Sequence, residues 1–193
     1  DGGDGYILLQ VYDLETNKPR LVMLTTRGYV GNGQDTVVVG FTIAGSRSRK
    51  ILLRAPGQQL LDGYEAATSG ILLDPMIRVY DSANSEIAFN DDWPSGQSDV
   101  IAAAERVGAP AFSPDTLDTV ILRDLAPGNY TAQLVGYGGS TGEAMMEIFE
   151  VDEQRATTAA PALTWLPSNQ IGVTGREVVF SVHAVGRPAV SYQ

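Results

Sequence analysis

Cysteine is absent from the 193-residue chain, and histidine occurs once, as His183. The absence of cysteine excludes a disulfide framework, a thiol nucleophile and any zinc site with cysteine ligands. His183 stands in a strand-like run, and we interpret it as a surface strand residue rather than as part of a triad or a histidine-rich metal site. Because nothing in the pattern selects a pair of catalytic carboxylates either, we expect no enzymatic activity.

Basic residues are also scarce, with 13 Lys and Arg against 23 Asp and Glu, which gives a net charge of -10. Such a charge repels phosphate backbones and anionic lipid, so nucleic acid is excluded as an expected partner. No apolar run approaches the roughly 20 residues that cross a bilayer, so we expect no membrane span. The first four residues (DGGD) carry neither the basic flank nor the apolar stretch of a signal peptide. If the protein is exported, we expect that its signal peptide has already been removed.

Turn-forming residues are abundant instead, with 21 Gly and 10 Pro, a composition typical of short strands joined by many turns. Gly40 is a candidate bulge within its strand, and residues 47–50 (RSRK) read as a solvated hairpin tip. One short helix is predicted over residues 99–106, with Ser98 as its N-cap. The pattern predicts an all-β, antiparallel sandwich with strands at 21–26, 36–44, 51–54, 75–80, 87–90, 119–123, 129–135 and 143–151.

An internal echo indicates a tandem organisation. Residues 5–15 (GYILLQVYDLE) align with residues 142–152 (GEAMMEIFEVD), and in both an aromatic residue follows the glycine by seven positions. The first copy is either the last strand of a preceding repeat, a strand added to this sandwich, or a chance match. We divide the chain into an N-terminal strand at 1–18, a sandwich at 19–153, a small-residue linker at 154–161 and a partial second sandwich at 162–193.

Several motifs resemble known bacterial modules. Residues 74–82 (DPMIRVYDS) and 87–93 (IAFNDDW) resemble the strand-turn-strand of pre-peptidase C-terminal (PPC-like) domains, and residues 125–131 (LAPGNYT) with 135–142 (VGYGGSTG) resemble the closing hairpin of that family. Residues 24–30 (LTTRGYV) are similar to the opening of tandem modules in very large secreted bacterial proteins. The resemblance implies a jelly-roll-like sandwich in a secreted or cell-surface protein. Residues 167–182 are similar to the first strands of a bacterial immunoglobulin-like domain, which implies a partial immunoglobulin-like sandwich there.

The densest acidic group follows the strand at 87–90. Asp91 and Asp92 are hard oxygen ligands of the kind that Ca²⁺ prefers, and the PPC-like resemblance implies calcium binding in some members. Asp81, Asn84 and Asp99 are nearby in sequence. The alternative interpretation is that all of these are turn and capping residues on a solvated loop.

Three functions are consistent with these observations. The first is a structural module whose N-terminal strand and C-terminal segment pair with copies of itself, assembling a filament or tandem-repeat fibre by strand addition. The second is a calcium-dependent module that binds glycans or matrix protein through the loop at Asp91, Asp92 and Trp93. The third is an accessory domain of a larger secreted hydrolase. We expect the first function, without a cofactor.

Overall fold

The computed structural model describes residues 23–33, 35–63, 70–93, 97–110 and 112–151, and the backbone of two short strands at 162–165 and 183–185. For residues 61–63 it likewise describes the backbone alone. The predicted N-terminal strand at 1–18, the linker at 154–161 and most of the segment at 162–193 lie outside these residues. No helix in the described part is long and apolar enough to cross a bilayer.

Between residues 23 and 151, the described chain forms an antiparallel β-sandwich, as the sequence predicted. Its strands are β1 Met23–Val30, β2 Val37–Ile43, β3 Arg49–Ala55, β4 Pro75–Tyr80, β5 Glu86–Asn90, β6 Thr119–Leu125, β7 Gly128–Gly136 and β8 Gly142–Glu150. Sheet A has the order β1-β8-β3-β6 and sheet B the order β2-β7-β4-β5, and every strand pair is antiparallel.

The core between the sheets follows from strand alternation. Because successive side chains point to opposite faces of a strand, Ile51 and Leu53 of β3 face inward, as do Ile77 and Val79 of β4. These side chains meet in one apolar cluster, in which Leu53 and Ile77 are fully buried. Sheet-on-sheet burial of this kind holds the two layers together.

A helix covers the outer face of sheet A. Helix α2, Ser98–Val107, follows the short helix α1, Gln58–Gly63, which the sequence had not predicted. Val100, Ala103 and Ala104 lie on one face of α2 at helical spacing and pack against Leu52 and Phe149 of sheet A in a second core.

The N-cap of α2 differs from the sequence prediction. The N-cap is Gln97, which makes no side-chain capping bond, whereas Ser98 is the first helical residue. Gly108 ends the helix in the left-handed region at φ 74°, and its N–H points back to the carbonyl groups of Ala104 and Glu105. This is the position where a helix favours glycine.

Three local predictions were wrong, one about a bulge within a strand and two about how strands connect. The pairing of β2 with β7 runs without a register shift through Gly40, so no bulge is present there. Arg49 and Lys50 already belong to β3, and β2 and β3 lie in different sheets, so residues 47–50 are no hairpin tip. The expected closing hairpin fails for the same reason: β7 lies in sheet B and β8 in sheet A, and the short 3₁₀ turn Tyr137–Gly139 takes the chain across.

Two further strands pair with each other in the C-terminal part. They are β9, Ala162–Trp165, and β10, His183–Val185, which are antiparallel with an irregularity between His183 and Ala184. The placement of His183 in a strand agrees with the sequence reading. One strand pair does not test the predicted partial immunoglobulin-like sandwich, which stays a prediction.

Candidate functional site

The acidic residues that the sequence singled out, Asp91 and Asp92, come directly after β5. Asp91 is half-buried and Asp92 is exposed. The preceding residue fixes this loop, because Asn90 Nδ2 donates to the carbonyl oxygens of Asp92 and Val120, each at 2.7 Å. The second of these bonds ties the end of β5 in sheet B to the edge strand β6 of sheet A.

A third carboxylate, which the sequence reading did not place here, joins them from the start of β4. Strands β4 and β5 are antiparallel, so Asp74, just before β4, lies at the same end of the hairpin as Asp91 and Asp92. Burial raises the pKa of Asp74 above its usual value, and repulsion from Asp92 and then Asp91 raises it further. We call Asp74, Asp91 and Asp92 the acidic corner.

The other acidic candidates lie elsewhere. Asp81 is at the opposite end of the β4–β5 hairpin, where its Oδ1 accepts from the N–H groups of Ala83 at 2.9 Å and Ser85 at 3.0 Å. Asn84 has a positive φ of 61° in the same turn. For these two, the interpretation as turn residues is therefore correct. Asp99 is exposed in the first turn of α2. Across the described ranges, no three Asp, Glu or His side chains converge closely enough to hold a metal ion.

Trp93 is not available as a sugar-stacking platform. It is 7% exposed and belongs to the core beneath α2, where its ring meets Phe112 edge to face with the centroids 6.2 Å apart. Trp93 is therefore a packing residue.

A pair of buried charges lies on the outer face of sheet A, under the loop after α2. Arg54 of β3 and Glu147 of β8 face each other across the sheet and are 1% and 3% exposed. Arg54 Nη1 lies 3.4 Å from Glu147 Oε2, and Nη2 donates to the carbonyl oxygen of Pro110 at 2.6 Å and to Gln59 Oε1 at 3.1 Å. Its guanidinium also lies 4.1 Å from the centre of the Phe112 ring.

Burial shifts the pKa of both residues of this pair. It raises the pKa of Glu147, an effect that Arg54 opposes, and it lowers the pKa of Arg54, an effect that Glu147 and Asp118 oppose. Asp118 is itself buried and accepts from the Gly57 N–H at 2.5 Å and from the Thr116 hydroxyl at 2.7 Å. Perturbed charges often mark an active site. Here Arg54 and Asp118 bond to neighbouring backbone and side-chain groups, and Arg54 pairs with Glu147, while Arg54 Nη1 makes no hydrogen bond.

The sequence reading missed this cluster, although a signal existed. Arg54 ends the apolar run from Ile51 to Leu53, and Glu147 interrupts the apolar run that begins at Met145. A charge within a strand that is otherwise apolar on both faces implies a buried partner.

An open groove of about 360 Å³ runs between α2 and sheet A. Arg106 and Asp99 line it from the helix, and Lys50, Arg123 and Asp124 from the sheet. Its charges are mixed, and it contains neither a histidine nor a hydroxyl nucleophile.

The outer face of sheet B has no covering element among the described residues. Phe89 is 47% exposed there, and the Arg78 guanidinium lies 5.2 Å from the centre of its ring. Arg78 Nη1 also donates to Glu86 Oε2 at 2.8 Å, a bond that holds its pKa above the usual value. The Tyr80 hydroxyl reaches the same carboxylate at 3.3 Å.

Comparison with known proteins finds solved structures of similar shape at low sequence identity. No family model matches the chain, and no curated protein matches it. The pre-peptidase C-terminal domain of a collagenase from Bacillus anthracis aligns with 11% identity over 69% of this chain and 99% of its own, at a TM-score of 0.40. The Yersinia pseudotuberculosis-derived mitogen aligns with 9% identity over 69% of this chain and 89% of its own, at a TM-score of 0.38. The predicted immunoglobulin-like segment receives no support from these alignments.

Proposed function

We propose that the chain is a non-enzymatic structural module of a secreted or cell-surface protein that joins further copies by β-strand addition. The observation that carries the proposal is the state of the sheet edges. Strands β1, β6, β2 and β5 each have a strand neighbour on one side only within the described chain. An edge strand presents unpaired N–H and C=O groups, which another strand satisfies by pairing.

The N-terminal segment is the proposed donor. Residues 5–15 repeat the pattern of β8, the strand that lies between β1 and β3 in sheet A. A segment that copies a central strand carries the alternation needed to extend a sheet. In a tandem array it completes the neighbouring repeat, and in separate subunits it links one copy to the next.

The absence of catalysis is part of the proposal. The buried charges Arg54, Glu147 and Asp118 support it, because the ion pair and the hydrogen bonds that they make join the sheet to neighbouring loops. The groove beside α2 supports it because its lining contains no serine, threonine, cysteine or histidine.

The experiment is deletion of residues 1–14. We expect the full chain to form ordered assemblies under the electron microscope and the truncated chain to give dispersed particles, with circular dichroism showing that the sandwich still folds. Filaments formed by the truncated chain would contradict the donor role of the N-terminal strand.

A second candidate is calcium-dependent binding of glycans or matrix protein. Asp74, Asp91 and Asp92 lie at the same end of the β4–β5 hairpin without converging on one point, and a cation bound between two of them would reduce the repulsion that adds to burial in raising the pKa of Asp74. We expect calcium to raise the melting temperature relative to a chelator, and the double variant Asp91→Asn with Asp92→Asn to abolish that rise. An unchanged melting temperature, with no heat of binding in calorimetry, removes this candidate.

A further inference from the structure

The edge strands differ in how far they are protected against pairing. Strand β1 carries Arg27, which is ion-paired with Glu143 of β8. Strand β5 begins with Glu86 and has a register shift opposite Val79 and Tyr80. Strand β6 carries Arg123 and Asp124, and its Val120 carbonyl already accepts from Asn90. Charges, bulges and occupied backbone groups are the devices that keep an edge from pairing.

Within the part of the chain that the structure describes, strand β2 shows none of these devices. Its seven residues, VVVGFTI, include neither charge nor proline, and its pairing with β7 is regular from Val37 to Ile43. Val38 is 56% exposed on the outer face, and the space above Gly40 is open. An uncharged edge with a regular register and mostly apolar side chains is the kind that pairs with another strand.

The charges that flank β2 indicate which strand fits. Asp35 precedes the strand and Arg47 follows it, and both are exposed. When two copies of β2 lie antiparallel about Gly40, Asp35 of one copy faces Gly45 of the other, two residues from Arg47. Residues 45–47 form a bend directly after β2 rather than a continuation of the strand. The register therefore brings one charge of each sign to both ends of the ladder, where opposite charges attract.

The side chains within the ladder also match. In this register Val38 faces Thr42, Val37 faces Ile43 and Val39 faces Phe41 of the second copy. Cross-strand pairs of β-branched and aromatic residues stabilise antiparallel sheets. Each of these pairs joins two residues that point to the same face of the sheet. Sheet B therefore continues across the contact as one sheet formed by both copies.

We infer that β2 is a self-complementary edge through which two copies of this chain pair, antiparallel and two-fold symmetric. The inference rests on the proposed function in that both need copies to associate by strand addition. It differs in the strand that carries the contact, because a two-fold contact through β2 does not use residues 1–14.

The test is sedimentation velocity of the full chain over a concentration series. Val38→Lys places a charge on the exposed face of β2, and Ile101→Lys places the same charge on α2, where Ile101 is 38% exposed. We expect the wild type to dimerise with rising concentration, Val38→Lys to weaken the dimer at least tenfold, and Ile101→Lys to leave it unchanged. Equal melting temperatures of the two variants show that folding is intact.

A charge exchange tests the register. Arg47→Glu and Asp35→Lys should each weaken the dimer several-fold, and the double variant should restore it because the end pairs re-form with reversed sign. Hydrogen exchange on the wild type should show protection of β2 amides that grows with concentration.

The outcomes separate the inference from the proposed function. Association that survives Val38→Lys but is lost on deletion of residues 1–14 overturns the β2 contact and leaves strand donation intact. A dimer that survives the deletion but not Val38→Lys supports β2 pairing and refutes the donor strand as its source. A wild-type chain that stays monomeric at all concentrations overturns both.

Discussion

The two sheets of the sandwich share one core but treat their outer faces in opposite ways. Sheet A buries its outer face under α2 and the following loop, and this second layer contains Trp93, Phe149 and the ion pair of Arg54 with Glu147. Sheet B leaves Phe89 and the ion pair of Arg78 with Glu86 in contact with solvent. The same residue types therefore contribute differently to the free energy of unfolding on the two faces, because the contribution depends on burial as well as on residue type.

The difference also separates stability from interaction. Sheet A is covered on both of its faces, so its side chains contribute to folding and few of them are exposed for binding. Among the described residues nothing covers the outer face of sheet B, and the proposed contact through β2 lies beside this face. The predictions below compare matched changes on the two faces.

The largest difference is expected for the aromatic residues. Trp93→Ala empties a buried site and should lower the free energy of unfolding by about 3–5 kcal/mol. Phe89→Ala, on the open face, should change it by less than about 1 kcal/mol. Urea denaturation with unchanged m-values measures both. Equal losses for the two variants would show that α2 does not seal the outer face of sheet A.

The two ion pairs give the next comparison. Glu147→Gln leaves the buried Arg54 guanidinium without its counter-charge and should cost about 3 kcal/mol. Glu86→Gln affects a pair whose side chains are 38% and 37% exposed and should cost under about 1 kcal/mol. Thermal unfolding at neutral pH measures both. A small effect of Glu147→Gln would mean that water reaches the pair.

Only part of this fold was predictable from the sequence. The strands were predictable, because alternation and turn residues are local features: residues 75–80 were predicted as a strand and form β4. Helix α2 was predicted from its alanines, and the structure extends it by one residue at each end. Which strands share a sheet depends on contacts distant in sequence, and here the expected hairpins at residues 47–50 and after β7 failed.

The same limit applies to the sites. Asp91 and Asp92 were found because they are adjacent in sequence, whereas Asp74 joins them only through the pairing of β4 with β5. The partnership of Arg54 with Glu147 depends on β3 lying beside β8, strands that are far apart along the chain. The burial of Trp93 depends on α2 folding over it.

Substitutions at two glycines compare the two sheets through smaller changes in the free energy of unfolding. Gly108→Ala puts a side chain at φ 74°, at the end of the helix that covers sheet A, and should cost about 1 kcal/mol. Gly40→Ala, on the open face of sheet B, adds a methyl group where no atom lies within 4 Å, and should stabilise by about 0.5 kcal/mol. Chemical denaturation resolves the opposite signs. A destabilised Gly40→Ala monomer would indicate that a further segment covers this face.

The smallest effect is expected at the acidic corner, where the charges of sheet B stay partly solvated. Burial and the neighbouring carboxylates raise the pKa of Asp74, so its protonated form is favoured by folding. Its contribution to stability is therefore complete below the unfolded value of 3.8 and is lost as the pH rises through the folded pKa. Asp74→Asn removes this loss, so its melting temperature relative to the wild type should increase from pH 3 to pH 7. In the background of Asp91→Asn with Asp92→Asn, the increase should shrink, because burial alone remains. Parallel melting temperatures across this range would mean that Asp74 is as solvated in the folded protein as in the unfolded chain.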